Sequence, residues 1–157
     1  MATSTYTRKH SDTLAGLGAP NVQPSVQIGA GKKRLVRVKF VSQGRLTDVD
    51  IVQSGGTAVA AVVDVLKSQA AFPPDVDVPV GDSPTLPLLS LDICPTIDVA
   101  SGGHGTLQQD NQGYAFRNID GTSTNNQRFV YVLINPTSAG GPTTWDIQLT
   151  TESTVGD

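Results

Sequence analysis

The sequence predicts a mainly β fold: an antiparallel β-sandwich or jelly-roll-like domain with one short amphipathic helix and an extended N-terminal arm. Three observations carry that expectation. The 157 residues include 16 Gly and 10 Pro, abundant Val and Thr, and only one Glu and one Met, a composition of strands and turns. Apolar residues alternate in short segments bounded by Gly, Pro and Ser. Residues 1–33, by contrast, are rich in Ser, Thr, Gly, Pro and Gln with no apolar period, so alone they bury too little surface to fold. The length suits one domain, giving an arm over 1–33 and a single β-rich domain over 34–157.

The first firm element, Arg34 to Gln53, reads as a β-hairpin around Gln43-Gly44. With Ser42 opposite Arg45, one face carries Val36, Val38, Phe40, Val49 and Ile51, and on the other Lys39 meets Asp48 and Arg37 meets Asp50. After Ser54-Gly55-Gly56, the apolar residues Val59, Val62, Val63, Leu66 and Ala70 recur at helical spacing, which predicts a helix near 57–71 that Phe72-Pro73-Pro74 stops. From Asp75 to Asp98, Pro79, Pro84, Pro87 and Pro95 limit the chain to short or edge strands. A polar loop, 100–113, contains Gly102-Gly103-His104-Gly105. Two further strands complete the domain as a closing hairpin. Arg128 to Asn135 is apolar on both faces and reads as a central strand, while Thr144 to Thr151 alternates, with Trp145, Ile147 and Leu149 inward.

The order of hairpin, Ser-Gly-Gly turn, apolar helix and Phe-Pro-Pro over residues 34–74 resembles the C-terminal domain of TonB-like energy-transducing proteins. Any ββα unit needs the same turn chemistry, the remaining residues have no place in that small domain, and no function is carried over from it.

Charge is unevenly spread. The net charge is −3, but residues 1–46 sum to +7 and residues 47–157 to −10. Such asymmetry points to nucleic acid or to an acidic neighbouring subunit. With Arg37 and Lys39 assigned to the hairpin, the remaining candidates for subunit or nucleic-acid contact are Arg8, Lys9, Lys32, Lys33 and Arg34. They would make a salt-sensitive contact. Against thirteen acids on the body, an acidic neighbouring subunit is the nearer expectation, with nucleic acid possible through the arm.

Several classes of chemistry lack their residues. One cysteine, Cys94, allows no intrachain disulfide, and with His10 and His104 it makes no zinc pattern. No run of 18 apolar residues occurs and residues 1–34 hold no signal-type apolar core, so neither a membrane partner nor a signal peptide is expected. Gly29-Ala30-Gly31-Lys32-Lys33 evokes a phosphate loop. The pattern fails because Val26 stands where the first Gly belongs and Lys33 where Ser or Thr belongs, which leaves a hinge between arm and first strand. His104 with Asp98, Ser101 and Asp110 could be drawn as a hydrolase constellation, yet no Gly-x-Ser-x-Gly elbow accompanies it. The pairs Asp48/Asp50, Asp75/Asp77 and Asp110/Asn111 lack the loop signature of a calcium site.

The expectation is therefore a non-enzymatic structural subunit that self-assembles, with no cofactor and no small-molecule substrate. In style the chain resembles viral or phage capsid and decoration proteins: a small Thr/Val/Gly/Pro-rich β domain, a polar arm, no disulfide and no active-site motif. That resemblance implies a virion location and contacts with further copies or with other capsid subunits. The alternative is an extracellular surface or carbohydrate-binding β-sandwich module that binds through loops 100–113 and 136–142.

Overall fold

The computed structural model of the protein describes residues 2–8, 25–39, 43–67, 76–79, 92–107, 113–117, 129–137 and 140–153. Among these residues there are eleven strands and no helix. They are β1 (Ala2–Arg8), β2 (Val26–Ile28), β3 (Lys32–Lys39), β4 (Gln43–Gly55), β5 (Ala61–Lys67), β6 (Val76–Pro79), β7 (Ile97–Val99), β8 (His104–Thr106), β9 (Tyr114–Arg117), β10 (Phe129–Pro136) and β11 (Thr143–Ser153). One sheet of six strands has the order β1-β11-β4-β8, with β2 also on β11 and β9 also on β4. The second, of five strands, has the order β6-β3-β10-β5-β7.

A single hydrophobic cluster joins the two sheets. Val26, Ile28, Leu46, Val49, Ile51, Trp145, Ile147 and Leu149 enter it from the first, and Val36, Val38, Val63, Val65, Val130, Val132 and Ile134 from the second. In β11 the inward residues alternate with outward Thr144, Asp146 and Gln148, as the sequence pattern predicts. Buried Thr143 accepts a 2.9 Å hydrogen bond from the Trp145 indole, so the largest core side chain leaves no donor unmet. The strand β10 is central in its sheet, between β3 and β5. Its second face is buried as well, at Tyr131 and Leu133, beside Leu35 and Leu66.

The strand pairings nest. β5 pairs with β7, β4 with β8, β3 with β10 and β2 with β11, so strands β2 to β5 run out and the later strands return beside them in reverse order. Two further ladders, β4 with β11 and β5 with β10, roll this nested ribbon into the two sheets. All are antiparallel.

The pairing corrects several expectations. β3 and β4 are not a hairpin: β3 lies between β6 and β10, and β4 between β11 and β8. Arg37 therefore sits opposite Tyr131, and Asp50 opposite Gln148 and Thr106, so the expected Arg37–Asp50 pairing does not form. Val36/Val38 and Val49/Ile51 do face the core, as the alternation predicts, but they meet across it instead of side by side. β10 and β11 likewise belong to opposite sheets.

The helix near 57–71 is also overturned, because Ala61–Lys67 is β5, held between β10 and β7. Its apolar residues satisfy a period of 2 as well as 3.6. Ala61, Val63 and Val65 are buried with half-buried Val62 and Asp64 between them, and β-branched side chains favour the extended form. Residues 68–71 lie outside the described residues. Without that helix or hairpin, the ββα order on which the TonB-like resemblance rested is absent. The polar loop 100–113 contains β8, and β6 and β7 are edge strands, as the Pro-punctuated segment predicts. Of the segment read as an arm, Ala2–Arg8 is β1, and Val26 and Ile28 belong to the core. The Gly29–Gly31 segment is a tight turn closed by Lys32 N–H donating to Gly29 O at 3.1 Å, with Gly31 at φ +68°.

The crossing from β4 to β5 is clamped by one side chain. The Gln53 amide donates to Gly55 O at 3.0 Å and Thr57 O at 2.8 Å, while its oxygen accepts from Val59 N–H at 3.0 Å. Beside it Gly56 has φ +87°, and a Cβ there would lie 2.5 Å from Pro142 O. Where the sheets meet through β7 and β8, a Cβ on Gly105 would collide with Val99 Cγ2 and lie 3.1 Å from Ile97 Cγ2.

Gln53→Glu keeps the shape but removes both donors and faces two carbonyls with a carboxylate. Urea unfolding at pH 7 should show a loss of about 1–3 kcal/mol, at least as large as for Gln53→Ala. Gly105→Ala should lower stability by about 1–3 kcal/mol by forcing the sheets apart at β7 and β8, measured the same way.

Candidate functional site

The basic residues singled out from the sequence divide between the two sheets. Lys32, Lys33 and Arg34 open β3, one strand in from the β6 edge, and are half-buried. Arg34 faces Asp77 in register, and its guanidinium donates to the Asp77 carboxylate at 2.8 Å. That pair is solvent-accessible on both sides, so it fixes the β3–β6 register more than it adds stability. Arg8 ends β1 opposite Ile147 on the other sheet. Lys9 lies outside the described residues. The structure thus places Lys32, Lys33 and Arg34 on one strand, with Lys32 and Arg34 on one face and Lys33 on the other, and it puts Arg8 on the opposite sheet.

Acidic side chains occupy the outward positions of the six-stranded sheet. Asp48 and Asp50 alternate with buried Val49 and Ile51, and Asp146 stands opposite Val52 on the neighbouring strand. Asp146 accepts hydrogen bonds from the hydroxyls of Ser25 and Ser54, the latter at 3.3 Å, which ties the approach to β2 and the end of β4 onto β11. Both sheets carry both signs, with Arg8, Arg45 and Arg117 on the six-stranded sheet and Asp64, Asp77 and Asp98 on the five-stranded one, but the cations of β3 (Lys32, Lys33, Arg34, Arg37 and Lys39) give the five-stranded sheet the positive excess.

The remaining polar chemistry gathers where the sheets converge. His104 Nδ1 is 3.0 Å from Asp50 Oδ1, beside an open cleft of about 370 Å³ lined by Pro95, Thr96, Ile97, Asp98, His104, Thr106 and Leu107. The carboxylate that orients the imidazole is thus Asp50. Asp98 lines the same cleft, Ser101 sits in an exposed turn outside its lining, and Asp110 lies outside the described residues. Thr96 is already committed, its hydroxyl donating to Asp64 at 2.6 Å. Among the described residues no group of three or more His, Cys, Asp or Glu gathers as a metal site. Sequence reasoning missed Asp50 as the partner of His104 because it assigned Asp50 to a hairpin. The two residues are 54 positions apart and meet only through the β4–β8 pairing.

Near this cleft, Cys94 is buried in the core. Burial, and then the negative charges of Asp92 and Asp64, push its thiol from 9.0 up to about 12. Asp92 is itself raised, first by burial and then by Asp64, and its Oδ1 has no hydrogen-bond partner among the described residues. A thiol held protonated in this way is neither a nucleophile nor a metal ligand at neutral pH. No protein-family model matches the chain, and no curated protein matches it either.

Cys94 in the native protein at pH 8 should react with a thiol reagent orders of magnitude more slowly than in guanidinium, read by absorbance. Its folded-state pKa is raised, so the stability it contributes is full below pH 9 and falls as pH rises through about 12. Alkaline unfolding should show that loss in the wild type and not in Cys94→Ala.

Proposed function

We propose that this chain is a structural, self-assembling subunit built on a jelly roll, and that it serves as a virion protein of the capsid, coat or capsid-decoration type. The observation that carries the proposal is the nested pairing of β5 with β7, β4 with β8, β3 with β10 and β2 with β11, rolled into two antiparallel sheets that share one core. Double-sheet jelly rolls of this plan occur in viral capsid and lectin domains. The assembly half of the proposal draws on charge. The strands of the five-stranded sheet carry more cations than acids, chiefly through β3, and those of the six-stranded sheet carry Asp48, Asp50, Asp146 and Glu152 against Arg8, Arg45 and Arg117, so copies meeting head to tail would present opposite excess charge. Arg34 is already engaged by Asp77, which favours an acidic protein neighbour over nucleic acid as the partner of this strand. In this proposal the chain catalyses no reaction, takes no cofactor and resides in the virion.

Light scattering after size exclusion, with negative-stain microscopy, tests the proposal on the full chain. The expected result is a discrete multi-subunit particle that loosens between 0.1 M and 1 M salt, because surface charges separated by more than ~10 Å are screened. A monomer at every concentration, binding oligosaccharides on a glycan array, would replace it with the surface carbohydrate-binding module.

A further inference from the structure

β1 and β2 lie end to end along one edge of β11. β1 runs from Ala2 opposite Ser153 to Arg8 opposite Ile147, and β2 from Val26 opposite Trp145 to Ile28 opposite Thr143. Both are antiparallel to β11, so they point the same way on one line. Arg8 and Val26 are two positions apart on the shared partner, a gap of about 7 Å at ~3.4 Å per residue. One residue spans such a gap. Ser25, which precedes Val26 and is hydrogen-bonded to Asp146 of β11, is that residue. The sequence nevertheless places residues 9–24, sixteen in all, between Arg8 and Ser25.

Those sixteen residues add nothing to a strand that one residue would complete, but they supply reach. Fully extended they cover roughly 50–60 Å at ~3.3–3.6 Å per residue, more than the diameter of a domain this size. We propose that β1 is an exchangeable strand: in the assembled protein, Ala2–Arg8 occupies the Ile147–Ser153 edge of β11 in a second copy of this chain, in the register seen within one chain. The same seven positions pair in either arrangement, so the backbone ladder is equally good in both. What differs is the connection. Within one chain the sixteen residues must close back on a ~7 Å gap, which costs loop entropy. Between chains they span freely, and neighbouring subunits hold the acceptor edge at high effective concentration. The segment itself, Ala-Thr-Ser-Thr-Tyr-Thr-Arg, has no Pro or Gly to interrupt a ladder.

This inference takes its partner, a second copy, from the assembly proposal above, and the experiment separates the two. Thr5 and Thr150 are directly opposite, and paired Cβ atoms in an antiparallel ladder lie within disulfide reach. The full chain carrying Thr5→Cys and Thr150→Cys is oxidised and run on a non-reducing denaturing gel, with each single variant as control. Strand exchange predicts a ladder of covalent dimers and larger multimers that collapses on reduction and is missing from the controls. Particles that stay assembled yet yield only internally linked monomers would overturn strand exchange and leave the assembly proposal standing. A wild-type chain that is monomeric by light scattering would overturn the assembly proposal itself. A second variant, with residues 9–24 deleted so that Arg8 joins Ser25, pins β1 to its own β11. It should keep the β-sheet circular dichroism of the wild type and lose the multimers, and wild-type assembly by this variant would also refute exchange.

Discussion

The ladder between β4 and β11 runs through ten positions at the centre of the six-stranded sheet. β11 takes β4 on one edge and both β1 and β2 on the other, so the last described strand holds the first two in place. Its inward residues Trp145, Ile147 and Leu149 are buried to within 1% and stand over the valines of the opposite sheet. Two register shifts, at Thr144/Trp145 and Thr150/Thr151, absorb the extra residues of the longer β4 and bend the ladder. Removing apolar area at this centre would weaken both sheets together, because each buries its inner face only against the other.

From that arrangement the polar features acquire their places. Most consecutive strands change sheets, so charges close in sequence end up on different surfaces. Lys32 and Lys33 separate from Asp48 and Asp50 in this way, although fewer than twenty residues lie between them. Residues far apart are joined instead: Asp50 with His104, Arg34 with Asp77, and Ser25 with Asp146. The crossings themselves need special chemistry. Gln53 serves as a substitute backbone, using both its N–H donors and its oxygen on residues 55, 57 and 59.

Edges set the remaining constraint. A sheet that ends in an open strand offers unpaired backbone groups to another chain. The edges of the five-stranded sheet are short, four residues in β6 and three in β7, which limits what can add to them. On the six-stranded sheet, the edge of β11 is filled by two collinear pieces separated by sixteen residues of chain. An edge filled by a tethered strand is saturated within one chain, and under the proposed exchange the same backbone ladder would form between copies without any new side-chain contact.

Period-2 alternation fixed, from sequence alone, that Trp145, Ile147 and Leu149 face inward and that β10 is buried on both faces, because side-chain direction in a strand is a local property. Pro positions marked the edge strands for an equally local reason, the missing N–H. The cationic residues 32–34 were legible as a group; their neighbour Asp77 and the His104–Asp50 pair were not, since each depends on a partner more than forty positions away. Alternation says which face a strand buries and nothing about which strand lies beside it, so the readings of β3 with β4 and β10 with β11 as hairpins failed while their apolar faces were right. The Ala61–Lys67 run satisfied two periods at once, and only insertion between β10 and β7 decided for the strand. Sequence determined the strands and their inner faces; the tertiary structure alone decided their partners, because burying every inner face at once is a condition on the whole chain.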